Sequence, residues 1–135
     1  MLIKTTTFLT ALILSHCFTA NIAYAQKSLA DCKMEDQTIN ERSRCLDGVK
    51  VRLDRELQTW VNNHTFNLEE KALINNRYSA LKMFKRSQGN FITFRENDCR
   101  WQYLLVSQEK DANLAFKKCY IRLTQLRIKE LSQIE

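Results

Sequence analysis

LKMFKRSQGNFITFRENDCRWQYLL, residues 81–105, is the stretch whose reading decides the fold. Leu81, Phe84, Phe91 and Leu105 fall on one stripe of a 3.6-residue period, and Tyr78, Phe94 and Trp101 widen the apolar surface. A helix is therefore expected here, with Gly89 marking either a bend or a close helix crossing. Gln88, Arg95 and Gln102 follow one another at seven-residue steps, and the first two approach the apolar stripe. Polar groups so placed need partners, because an unpaired buried charge is costly. Asp54 and Glu130 are the candidate partners of Arg95, and a rotation of the helix after Gly89 that leaves Arg95 on the surface is the competing reading.

Outward from this segment the same periodicity continues. The 135 residues contain no proline and only two glycines, Gly48 and Gly89, so the turn punctuation of a sheet protein is missing. Thr38-Ile39-Asn40-Glu41 has the form of a capping box, and Leu46, Val49, Leu53, Leu57 and Trp60 then recur at three- and four-residue steps. Gly48 weakens this helix by about 1 kcal/mol. Asn62-Asn63-His64 reads as its terminus and turn, with Asn67 as a second cap and a long second helix reaching to about Ser107. A third helix is expected after Asp111 or Asn113, burying Ala112, Phe116, Cys119, Leu123, Leu126 and Leu131. The fold class is all-α: a disulfide-stapled three-helix assembly with a long central helix.

The first 25 residues stand apart. Lys4, the apolar run Phe8 to Leu14 and Ala23-Tyr24-Ala25 before Gln26 have the order of a secretory signal peptide, too short to span a bilayer. His16 stands where a lipid-attachment site before Cys17 would need a small residue, so Cys17 is expected to leave with the signal. Residues 26–135 then form a single domain in the periplasm or outside the cell, with no transmembrane anchor after cleavage. Losing Lys4 lowers the formal charge from +6 to +5. That excess favours anionic partners weakly and in a salt-dependent way. Export and the lack of a recognised motif argue against nucleic acid.

Four cysteines remain, Cys32, Cys45, Cys99 and Cys119. An even number in a small exported chain reads as a disulfide framework. Their intervals of 13, 54 and 20 residues lack the close pairs of structural zinc sites, so no metal is expected. Cys99 and Cys119 lie at similar distances on either side of a turn near Ser107 to Asp111, which levels their sulfurs in an antiparallel hairpin. Cys32 and Cys45 meet only if the segment before Thr38 folds back, since 13 helical residues span roughly 20 Å. Local pairing is the expected connectivity; Cys32–Cys99 with Cys45–Cys119, and Cys32–Cys119 with Cys45–Cys99, are the alternatives.

These features together resemble the LprI-type lysozyme-inhibitor family, in particular its small cysteine-containing N-terminal domain. The resemblance runs through Cys32, Cys45, Leu53-Asp54-Arg55-Glu56-Leu57 and Trp60, the last where the family usually places tyrosine. Its strongest part is Ser87-Gln88 to Phe91, Phe94-Arg95 and Cys99, with Phe91 in a customary tryptophan place; it closes on Cys119, Thr124, Arg127, Glu130 and Leu131. A glycine-containing loop usual between the last two cysteines is missing, since residues 100–118 contain no glycine. The resemblance implies an exported binding protein and a lysozyme, or another envelope or host protein, as partner. An anionic envelope polymer is the partner in the competing reading, a structural protein that binds anionic glycans or lipid headgroups.

Enzymatic chemistry finds no support. His64 is the one histidine after the signal segment and reads as a solvated turn residue, and no GxSxG or glycine-rich phosphate loop occurs. Glu69-Glu70 and Glu96 near Asp98 read as solvated or capping charge. No catalytic residue and no cofactor is expected. Lysozymes of the common animal kind are basic, so a chain of charge +5 would gain nothing from overall attraction to one, and a local acidic patch at Glu69, Glu70 or Asp111 is the route left. Trp60, Trp101 and the tyrosines are the candidate anchors of such a contact where they lie exposed.

Overall fold

A computed structural model describes residues 28–33 and 35–134, and the signal segment expected over residues 1–25 lies outside them. A short 3-10 turn, Ala30–Lys33, precedes three helices: α1 (Ile39–Asn75), α2 (Ser79–Leu105) and α3 (Ala112–Ser132). No strand occurs among the described residues. The protein is an all-α, three-helix, disulfide-containing domain.

α1 begins at the predicted capping box. The Thr38 hydroxyl accepts from the Glu41 amide at 3.2 Å, and the Glu41 carboxylate accepts from the Thr38 amide at 2.8 Å. The bond from the Thr38 amide, joined by one from the Thr38 hydroxyl to the same carboxylate, holds the Glu41 carboxyl below the usual carboxylate range. The helix does not stop at Asn62-Asn63-His64. It runs through them for 37 residues, roughly 55 Å, and makes α1 longer than the 27-residue α2. The terminator is Asn76, which takes the left-handed conformation (φ 52°) and donates its amide to the Ala72 carbonyl. Asn67, expected as a cap, sits mid-helix and donates to the Asn63 side chain at 3.0 Å.

The helices run up, down and up. At one end Lys117 of α3 reaches Ser43 and Asp47 of α1, both at 2.7 Å; at the other, His64 of α1 meets the Leu131 carbonyl at 2.8 Å. α1 and α3 are thus parallel, and α2 returns between them, pairing Lys85 with Glu69 and Arg95 with Asp54. Leu46, Val49, Leu53 and Leu57 pack against Leu114, Ile121, Ile128 and Leu131, with Phe84 and Phe91 of α2 closing the side. α3 ends level with His64, so the last turns of α1 and the first of α2 extend past it as a two-helix spur.

Both bridges are local. Cys32 joins Cys45 with a Cα–Cα distance of 5.6 Å, the chain folding back before Thr38, and Cys99 joins Cys119 at 5.4 Å. Several core expectations are corrected. Leu105 and Leu126 are exposed, while Ile121, Thr124 and Ile128 take the inner positions of α3. Gly89 marks no close crossing, since nothing lies within 4 Å of where a Cβ would stand, and α2 is continuous through it.

Candidate functional site

Arg95 organises the seam between the helices. Only 4% of it is exposed, which answers the competing surface reading. Its Nη1 donates to Thr124 Oγ1 at 2.8 Å and to Asp54 Oδ1 at 3.3 Å, and its guanidinium lies 3.7 Å from the Tyr120 ring centroid. The Thr124 hydroxyl in turn donates a hydrogen bond to the Tyr120 carbonyl at 2.7 Å, the outlet of a hydroxyl buried on a helix. Tyr120 donates to Asp54 at 2.9 Å, and Lys50 reaches the same carboxylate at 3.4 Å. Burial, reinforced by the bond to Asp54, pushes the Tyr120 phenol well above the usual tyrosine range.

A second knot lies along the same seam. Arg127 donates to Gln88 at 3.3 Å, Ser87 at 3.0 Å and Glu130 at 2.6 Å, and its guanidinium lies 5.7 Å from the Phe91 ring. Glu130 therefore belongs to Arg127, and of the two expected partners of Arg95 it is Asp54 that pairs. Gln102 leaves the seam and donates to Asp98 at 3.0 Å. Leu57 and Leu131 are buried core. The seam ties the three helices in register, with Lys50, Arg95 and Tyr120 all donating to Asp54.

Sequence reasoning missed Tyr120, although its place beside Cys119 and four residues before Thr124 puts it on the inner face of α3. It also misplaced His64, which is partly buried on α1, 6.1 Å from Trp60 and 5.7 Å from Phe84 between ring centroids. Trp60 is drawn into that stack and is not a free anchor. The aromatic surface lies on the outer side of α2. Phe94 and Trp101, seven residues apart, are 53% and 54% exposed, and Trp101 is steadied by a 3.1 Å bond from its indole N–H to Asp98. Between them is a shallow cleft of about 490 Å³, edged by Asn90, Thr93 and Asn97.

Among the described residues no group of histidine, cysteine and acidic side chains is arranged to hold a metal, and no helix is long and apolar enough to cross a membrane. The described residues thus form a disulfide-stapled helical scaffold, tied inside by an arginine seam and presenting aromatic side chains outside. The chain belongs to the family described as lysozyme inhibitor LprI, whose family model matches residues 20–131. No curated protein and no solved structure matches it.

Proposed function

We propose that this protein is an exported, non-catalytic inhibitor of a lysozyme, acting in the periplasm or outside the cell, and that the α2 face carrying Phe94 and Trp101 is its contact surface. Family membership supplies the target class. The observation that carries the surface is the pair of half-exposed aromatic rings on a helix tied to α3 by Cys99–Cys119. Aromatic anchors of this kind supply most of the affinity of protein interfaces. Asp98, partly buried in the lining of the cleft between them, places acid beside the rings, giving a basic enzyme local attraction that the overall charge of the chain does not. Glu69, an earlier candidate for that role, is paired with Lys85 at 2.8 Å.

The test is titration of the purified, oxidised protein against lysozymes of several classes. Inhibition by the wild type is expected, with a loss of about 30-fold or more in affinity for Trp101→Ala/Phe94→Ala, the size of a hot-spot truncation. Helicity should be unchanged, since both side chains are more than half exposed. Absence of inhibition across all classes refutes the assignment, and inhibition indifferent to this double variant refutes the surface.

A further inference from the structure

We infer a second binding site, for an acidic oligosaccharide, in the cleft above Gly48 on α1, independent of lysozyme inhibition. The cleft measures about 610 Å³, within the size range of small-ligand sites. Gln37, just before Thr38, lines one part of it, and Cys45 of the Cys32–Cys45 bridge lines another. Arg44, Gly48, Arg52 and Arg55 share one stripe of α1, at steps of four, four and three residues, so three guanidiniums are spread over roughly 16 Å with a bare backbone at the centre.

Gly48 leaves the helix surface bare at the centre of this stripe, and the fold does not require it. Gly48 has no positive φ, and nothing lies within 4 Å of where its Cβ would stand. In a helix interior glycine is less stable than alanine, and no packing contact accounts for it here. What its missing side chain provides is a flat floor on which a sugar ring can lie against the helix. Arg55 takes part in no ion pair among the described residues, Arg44 lies near enough to Glu41 to help lower its carboxyl without a close ion pair, and Arg52 is held by Glu56 at 3.5 Å. Guanidinium forks match planar oxyanions bidentately. Glu41, the acid in the lining, has its carboxylate committed to the Thr38 amide and hydroxyl, each at 2.8 Å. The length of the arginine row suits a ligand bearing more than one anionic group, and the open floor suits a ring-built chain over a compact ion.

A labelled hexamer of galacturonate is the probe, titrated into the oxidised protein at two salt concentrations. Arg44→Gln/Arg55→Gln is expected to weaken binding tenfold or more. Lys118→Gln/Arg122→Gln, the same charge change on exposed positions of α3, should cost less than twofold. Gly48→Gln should weaken binding about tenfold while leaving the melting temperature equal or higher, which separates an obstructed floor from a damaged fold. Equal losses in the two double variants would reduce the effect to diffuse charge and overturn the site. So would binding of a neutral maltohexaose as tight as the acidic hexamer, tighter binding of a single-stranded oligonucleotide of equal charge, or no binding at all. Lysozyme inhibition measured on the same variants should not change, keeping the two sites separable.

Discussion

Tyr120 performs two tasks at one position. Its hydroxyl donates to Asp54 while its ring lies under the Arg95 guanidinium, with Lys50 Nζ also 4.1 Å from the ring centroid. The phenol is pushed up by burial and by the Asp54 bond, so the folded state holds this proton more tightly than the unfolded chain. The sign follows from linkage: the contribution is complete below the ordinary tyrosine value near 10 and is lost as pH rises beyond it. Tyr120→Phe is expected to cost about 1 kcal/mol at pH 7, the net worth of a hydrogen bond, and to flatten the alkaline decline. Urea unfolding at pH 7 and pH 11 measures both; an equally steep decline in the variant would refute the assignment to Tyr120. At this scale the seam was partly legible. Seven-residue spacing put Gln88 and Arg95 near the core, but whether Asp54 or Glu130 met Arg95 depended on helix rotation, which no single helix reveals.

At the scale of elements, starts were easier to read than stops. The capping box at Thr38 is a local device whose partners lie three residues apart, and α3 begins at Ala112 within the expected window. The end of α1 was misjudged because Asn62 and Asn63 resemble a turn, yet both sit on the solvent side and are bridged along the helix, Gln58 to Asn62 at 2.8 Å and Asn67 to Asn63 at 3.0 Å. Meanwhile His64 faces inward, where packing outweighs propensity. The stop that operates, Asn76, is a left-handed asparagine of the same residue type. The spur beyond His64 has a physical consequence. Among residues 66–83 only Ala72 and Leu81 are buried, while Phe66, Leu73, Ile74 and Met83 are exposed. Amide hydrogen exchange should therefore be fastest, among the helical residues, over this spur and slowest around Leu53, Leu57 and Ile121. Uniform protection along α1 would contradict that gradient.

Across the whole molecule the two bridges divide the labour. Cys32–Cys45 fastens the opening segment to α1, and Cys99–Cys119 closes the α2–α3 hairpin beside Tyr120 and Leu123. Each closure is worth about 3 kcal/mol on the chain-entropy account. Replacing Cys99 and Cys119 by serine should lower the unfolding free energy by about that amount in denaturant melts, as should replacing Cys32 and Cys45. A loss below about 1 kcal/mol for either pair would show that the corresponding loop is already ordered in the unfolded ensemble.

The parallel seating of α3 on α1 also governs how the chain reaches this state. Contacts such as Lys117 with Ser43, 74 residues apart, join the last helix to the first, so the main core is assembled from the two ends of the domain. The α1–α2 and α2–α3 hairpins can each form early from near neighbours, but neither covers the Leu46, Val49, Leu53 and Leu57 face. Until the residues of α3 have been made and docked, that face is without its main cover, and the chain is at its most vulnerable to aggregation and proteolysis.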